Sequence, residues 1–546
     1  MISLVPGARP AELLLMSRRV AWIVLTVLVA VRLPSLVQPP GADQDLYSYV
    51  GQEIVRGGMP YRDAWDQKPP AIHYTYAAMF LAWPHGSVVA AADLVAAAGV
   101  ALVLLFLERR MAGRPGWAAA AVFLLLGNPA YSRLGGMWLR AQCETFIALA
   151  IAGALLCLHA ATHVQAAARA RTWALRFGSG VLLGVAVAYK YNAAAYGLVA
   201  LVAVLAWRRE ARSSRSPWQR EAAADIAGLA AGAAVPLAAL AAAFAAAGAW
   251  RDLWEATVSY NLQYSGETYR SAVDVLRYAL VFPVRQARVD GLWLAGGAGC
   301  LILLARLRRD PNAVVGVAWV AAACLSIVIN GSRGLPQYFV QANPALALTA
   351  ALGAWTVYRA ARRPWVLALA AAVAVLALVR VVPFRKAAES TLFDARHMAG
   401  LVPRDVYLSR FGGLRVTDKH VPVAIGHLGR YLQAHSSPSD TVFVCGFSQG
   451  ALVQSRRRSA SRFFWSRPLV VGFNEGRPGY GAAGLLAELQ ARRPVIVALQ
   501  ANDWQLEDTD SATYFLSRPE LRGWLESNYA RQPDQDSYQI WLRGRS

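Results

Sequence analysis

The chain has 546 residues, 56% hydrophobic and only 16% charged, short of the roughly one quarter charged residues of a soluble domain. Its formal charge of +22 arises from 55 Lys+Arg against 33 Asp+Glu. The basic residues sit in short clusters between apolar runs, which excludes a continuous nucleic-acid footprint and describes a polytopic membrane protein. Of five cysteines, Cys143, Cys157, Cys300 and Cys324 lie in apolar stretches and Cys445 in a polar one. No Cys-x-x-Cys or His/Cys cluster has metal-ligand spacing, so they read as small hydrophobic fillers.

The opening "SRRVAWIVLTVLVAVRLPSL" imitates a signal peptide, with Arg18 and Arg19 before an apolar core. It lacks a small-x-small cleavage site and runs into Arg32 and Pro34, so it is read as a retained first span. Spans of ~20 mostly apolar residues are expected to begin near Val20, Ile72, Trp117, Ala141, Phe177, Ala193, Ile226, Leu292, Ala313, Tyr338 and Trp365, about eleven in all. Basic clusters follow every second span: Arg109, Arg110 and Arg114; Arg169, Arg171 and Arg176; Arg208, Arg209, Arg212 and Arg215; Arg306, Arg308 and Arg309; Arg359, Arg362 and Arg363. That alternation predicts a cytoplasmic N-terminus, and the odd span count then places the C-terminus outside.

On this topology the first loop, residues 39–70, is extracytoplasmic. It gathers five of the scarce acids, Asp43, Asp45, Glu53, Asp63 and Asp66, in "GADQDLYSYVGQEIVRGGMPYRDAWDQKPP". Asp63 and Asp66 alternate with Arg62 and Lys68 and read as structurally paired or solvated. Asp43 and Asp45 have no basic neighbour and follow the first span directly. The helix-like "LYSYVGQEIVRGG" places Tyr47, Val50, Ile54 and Val55 on one side, a pattern suited to lying along the membrane interface.

Residues 1–383 thus form a helical transmembrane domain, and from about Phe384 the composition becomes soluble. "VPVAIGHLGRYLQAH", "GAAGLLAELQARR" and "ATYFLSRPELRGWLESNYA" predict helices, while "DTVFVCG", "PVIVALQ" and "SYQIWLRG" predict strands. Residues 384–546 are therefore expected to form an extracytoplasmic α/β domain.

The loop, together with "LRAQCETF", the lysine of "AYKYN", "SRGLPQYFVQANPALAL" and "SDTVFVCGFSQ…RSASRFFW", resembles the C-type (GT-C) membrane glycosyltransferases. It is similar to bacterial relatives of protein mannosyltransferases and aminoarabinose transferases, of the glycosyltransferase family 39 type, over nearly the whole chain. The resemblance implies transfer of a sugar from a polyprenyl-phosphate donor, of the undecaprenyl or decaprenyl type, to a lipid, glycan or protein hydroxyl. The reaction would run at the outer face of a bacterial inner membrane, by direct displacement with inversion. Asp43 takes the catalytic aspartate's position, with Gln44 where Glu is usual, which leaves Asp45 as a candidate for the missing carboxylate. Gln337 stands where relatives often carry His before Tyr338.

The chemistry needs a base within reach of the attacking hydroxyl and cations around the departing phosphate. Asp43 is the expected base and Asp45 the next. Lys190, between apolar runs where an ionisable group is expensive, Arg140, Arg333 and Tyr338 are the expected phosphate-binding residues. Glu144 is placed to orient Arg140 as an i,i+4 partner, the bland alternative being an ordinary ion pair. Tyr47, Tyr61, Asp66, Lys68 and Gln337 are expected to support the site. No cofactor is called for; a divalent metal held by Asp43 and Asp45 is the less favoured arrangement, because no His joins them in the loop.

Two other readings compete. A transporter explains the spans and Lys190 but neither the acidic loop nor the α/β domain, and no repeated halves are visible. Gly446-Phe-Ser448-Gln-Gly450 spells a nucleophile elbow, which would make a membrane-anchored esterase. That fold needs its His after the Ser, and all eight histidines precede Ser448.

Overall fold

The structure, a computed structural model, describes residues 10–113, 116–163, 169–211, 218–266, 268–361, 363–412, 420–504 and 509–544. Arg114, Arg212, Arg215 and Arg362 of the basic clusters lie outside them. The helical region begins with α1 (Pro10–Ala30), α2 (Ala42–Val55), α3 (Ala71–Ala82), α4 (Val88–Ala112), α5 (Ala118–Leu126), α6 (Cys143–His163) and α7 (Arg169–Tyr189). It continues through α8 (Tyr196–Glu210), α9 (Trp218–Ala246), α10 (Trp250–Trp254), α11 (Tyr260–Gly266), α12 (Ala272–Ala287), α13 (Gly291–Leu304) and α14 (Pro311–Ile329). It closes with α15 (Asn343–Ala360) and α16 (Pro364–Val381).

Among the described residues, 8 helices are long and apolar enough to cross a membrane, or 9 if α12 and α13, bent by 114° at their junction, count as one span. The chain is a multi-pass membrane protein. The expected span near Ile72 falls on α4, behind the 12-residue α3, because Pro84 and Gly86 interrupt the apolar run. Those expected near Trp117, Leu292 and Tyr338 fall on helices of 9, 14 and 18 residues.

Small residues let these helices approach closely, as association in lipid requires. Gly180 and Gly184 on α7 face Gly228 and Gly232 on α9, and a Cβ on Gly232 would collide with the Phe177 carbonyl. A buried ion network reinforces the pair: Arg176 Nε and Arg208 Nε each reach a different oxygen of Asp225, at 2.5 and 2.6 Å.

The α/β region follows α17 (Phe384–Met398) and α18 (Arg404–Ser409), and comprises α19 (Pro422–Ala434), β1 (Thr441–Cys445), α20 (Gln449–Ser455), β2 (Arg458–Ser459), α21 (Arg467–Val470), α22 (Gly481–Arg492), β3 (Ile496–Gln500), α23 (Ser511–Ser517), α24 (Pro519–Asn528), β4 (Tyr529–Arg531) and β5 (Tyr538–Arg543). The sheet runs β2-β1-β3-β5-β4, with β1 parallel to both neighbours and β5 antiparallel to both of its own. Phe443 aligns with Val497, and Val497 with Trp541. The three expected strands are present. The long helix expected over "ATYFLSRPELRGWLESNYA" is two, because Pro519 restarts the helix after an extended Arg518.

The glycine seam is testable. Gly232→Ala is expected to lower stability by about 1–3 kcal/mol through overpacking. Gly197→Ala, whose Cβ would meet nothing within 4 Å, should be neutral or slightly stabilising. Thermal unfolding of the two purified variants separates them.

Candidate active site

Helix α2 starts one residue after Gly41, and Gln44 sets its rotation. The Gln44 Oε1 accepts the Gly41 N–H, while Nε2 donates to the carbonyls of Met137 and Arg140, each at 2.6 Å. A glutamate there would have nothing to donate to those two carbonyls. Asp43 and Asp45 flank Gln44, and two residues along a helix turn about 200°, so they face apart. Asp43 Oδ2 accepts a hydrogen bond from Gln337 Nε2 at 3.3 Å. Asp45 turns to the α/β region, where a Cβ on Gly450 would press against its carboxyl. The less favoured arrangement, two carboxylates sharing one divalent metal, would need them to converge, and they do not. Helix α2 is also not an interfacial helix: Tyr47, Tyr49 and Val50 are buried, packed between α3 and α20.

The Asp66–Lys68 segment is held from both sides. Tyr61 Oη donates to the Lys68 carbonyl and Asn261 Nδ2 to that of Gln67, each at 2.7 Å. The Trp65 N–H donates to the Arg462 carbonyl and Trp465 Nε1 to that of Trp65, both at 2.9 Å. Burial is the largest single influence and works against the Lys68 ammonium, but Asp43, with Tyr338, Cys143 and Tyr264, together offset it and keep its pKa above the ordinary lysine value. Among the described residues Lys68 makes no ion pair.

Asp66 does not pair with a neighbouring cation as expected. Its Oδ1 accepts the Gln67 N–H at 2.7 Å, and its Oδ2 lies 3.3 Å from His73 Nε2, with both side chains buried. Burial, helped by Asp43 and opposed by Lys68 and the Gln67 N–H, raises its pKa to about 7. Tyr47 and Tyr61 set ring edges against His73, with centroids 6.0 and 5.8 Å away. Tyr47 Oη also donates to Gln142 Oε1 at 3.4 Å. Sequence reasoning missed His73. Its signal was a lone imidazole in the first turn of an apolar helix.

Lys190 occupies the break after α7. Its Nζ lies 2.5 Å from Glu144 Oε1, 3.4 Å from Asn330 Oδ1 and 4.5 Å from the centroid of the buried Tyr338 ring. The expected Arg140–Glu144 pair is thus replaced by Lys190–Glu144. Arg140 has extended backbone ahead of α6, where i,i+4 geometry is unavailable. Its guanidinium turns to Ser35 Oγ at 2.8 Å, Gln38 Oε1 at 3.2 Å and the Gly135 carbonyl at 3.1 Å, with Asp93 at 3.9 Å. Arg333 lies 3.7 Å above the centroid of Tyr264. Asn330 and Tyr264 escaped sequence reasoning because their partners are distant in the chain.

Ser448 is buried in the β1–α20 turn, where its Oγ meets Gln500 Oε1 at 2.8 Å and Tyr538 Oη at 2.6 Å. Its hydroxyl partners among the described residues are an amide and a phenol, with no imidazole of a nucleophile elbow.

No family model matches the sequence, and no curated protein does either. Solved structures do match. ArnT from Cupriavidus metallidurans, bound to undecaprenyl phosphate, aligns with a TM-score of 0.57 at 15% identity over 98% of this chain and 100% of its own. The apo oligosaccharyltransferase of Archaeoglobus fulgidus aligns at 0.52 with 12% identity, over 96% and 74%. This chain has a GT-C fold. The archaeal oligosaccharyltransferase AglB from A. fulgidus, in complex with an inhibitory peptide and a dolichol-phosphate, aligns at 0.50 with 12% identity, over 97% and 75%. In this GT-C chain the loop after α1, the start of α6, the break after α7 and the turn before α15 bring Asp43, Glu144, Lys190 and Tyr338 into one cluster.

Two outcomes test this geometry. Gln44→Glu is expected to cost about 1–3 kcal/mol, since it strands two buried carbonyls, and should appear as a lower unfolding temperature. Asp66 holds its proton more tightly folded than unfolded, so its contribution to stability falls as pH rises from 3.8 to about 7. Asp66→Asn should flatten that slope in unfolding measurements between roughly pH 4 and 8.

Proposed function

We propose that the chain is a membrane glycosyltransferase that moves a sugar from a polyprenyl-phosphate donor to an acceptor hydroxyl. The observation that carries this reading is the meeting in one site of Asp43, bound through Gln337, and Lys68, on which Asp43 acts and which makes no ion pair among the described residues. The GT-C fold, and the polyprenyl-type phosphates named with ArnT and AglB, support the same reading.

Asp43 is the general base. As the acceptor oxygen attacks the anomeric carbon, its proton passes to the Asp43 carboxylate, which Gln337 steadies by a single neutral donor. The bond from the anomeric carbon to the phosphate oxygen breaks on the opposite side, so the sugar inverts. The electron pair leaves with the polyprenyl phosphate, whose growing charge needs a fixed cation in a water-poor site. Lys68 supplies that cation, because it is not committed to a carboxylate. Lys190 is neutralised by Glu144 and props the Tyr338 ring, while Arg333, stacked on Tyr264, offers a second planar donor set. The reaction takes place at the outer face of a bacterial inner membrane, with the N-terminus cytoplasmic and the α/β region outside.

The test is transfer from defined polyprenyl-phosphate sugars in reconstituted membranes, with products identified by mass spectrometry. Asp43→Asn is expected to lower turnover at least about 100-fold without changing donor binding, and Lys68→Ala to weaken donor binding as well. Near wild-type turnover in Asp43→Asn would remove the proposed base.

A further inference from the structure

On the face of α2 opposite Asp43 lies a cavity of about 710 Å³, between the first loop and the α/β region. Three arginines from separate elements line it: Arg404 opens α18, Arg430 lies on α19 and Arg456 follows α20. None of the three guanidinium groups makes an ion pair or hydrogen bond among the described residues. Their neighbours do: Arg410 pairs with Asp394 at 3.3 Å, Arg458 with Glu53 at 2.7 Å and Arg462 with Asp252 at 3.5 Å. Like charges around one cavity repel unless an anion lies between them.

The acid at this cavity does not serve as that anion. Asp45 lines it, is buried and accepts no hydrogen bond from a described residue. Burial pushes its carboxyl well above the usual carboxylate range, which favours the protonated form that donates to an anion instead of repelling it.

Apolar side chains share the lining: Leu36, Val37, Phe80 and Trp83, the last 47% exposed. Leu81 and Leu401, both exposed, lie close in sequence to the lining residues Trp83 and Arg404. An open apolar lining of this kind is unusual on a soluble surface. At the end of a bundle of membrane helices it suits acyl chains, with arginines reaching past it to a headgroup.

The geometry points to a binding site for an anionic phospholipid, with the headgroup phosphate among Arg404, Arg430 and Arg456 and the acyl chains over Trp83 and Leu401. Planar guanidinium groups carried by three separate elements suit the oxygens of a phosphodiester, which lysines would meet only as point charges. This site is separate from Asp43 and does not depend on the sugar-transfer reading.

The experiment is native mass spectrometry of the full chain with phosphatidylglycerol, phosphatidylcholine or inorganic phosphate, which reads binding without turnover. Phosphatidylglycerol should be retained about tenfold better than phosphatidylcholine, and the Arg404→Gln, Arg430→Gln, Arg456→Gln triple variant should abolish that preference. Arg385→Gln, which removes an exposed charge paired with Glu389, should keep it, and unchanged unfolding temperatures would show both variants folded. Equal retention of both lipids, or equal loss in Arg385→Gln and the triple variant, overturns the proposal. So does displacement of phosphatidylglycerol by inorganic phosphate at equal concentration, which would make the occupant a free anion.

Discussion

The rotation of α2 about its own axis is the constraint on which both faces of this molecule depend. At one end it is set by the Gln44 side chain, which uses its acceptor and both donors at once. At the other end Glu53 is gripped by Arg458 at 2.7 Å and Arg56 at 2.8 Å, and the Tyr49 hydroxyl accepts the Ser459 N–H at 2.8 Å. Rotation by a single residue, about 100°, would carry Asp43 away from Gln337 and Asp45 out of its cavity. A buried amide suits this task better than a carboxylate, because it can satisfy two carbonyls without bringing a charge into a desolvated corner.

The charges around Asp43 follow from the same economy of burial. Buried ions are tolerated when paired, and several here are: Lys190 with Glu144, Arg176 and Arg208 with Asp225, Arg140 with Asp93 and neutral acceptors. Asp66 instead moves toward its neutral form beside His73. Lys68 departs from this pattern, since Asp43 acts on it electrostatically and, among the described residues, it forms no ion pair. A cation and a carboxylate kept apart in one desolvated site hold electrostatic energy that direct contact would have spent. Under the proposed reaction the donor's phosphate draws on the cation and the acceptor's hydroxyl on the carboxylate.

What was legible in the sequence is what short range determines. Thr441–Cys445, Ile496–Gln500 and Tyr538–Arg543 are apolar runs between turn residues, and they are strands. The first-loop acids stood out because carboxylates are scarce in the chain. Pairing across the fold was not legible: Glu144 is closer in sequence to Arg140 than to Lys190, yet backbone conformation hands it to the lysine. The fate of α2 was hidden for a related reason. Its apolar side fits a membrane surface as well as it fits α20, and only the tertiary structure decides between two apolar partners. The short strands Arg458–Ser459 and Tyr529–Arg531 carry too few residues for any periodicity to register.

The α/β region is therefore part of the site's construction and not an appendage to it. Arg458, Arg462 and Trp465, all from the stretch after α20, bind Glu53, the Trp65 N–H and the Trp65 carbonyl in turn. Phe464 stacks on Tyr49 with centroids 4.3 Å apart, and Tyr480 donates to Glu255 at 2.6 Å. These contacts reach both ends of the first loop, from Tyr49 to Trp65, and the lysine lies three residues beyond the last of them. A loop tied at so many points cannot move its lysine without moving the sheet that holds it. The cavity lined by Arg456 is bordered by α20, and α20 packs directly on the helix that carries Asp43.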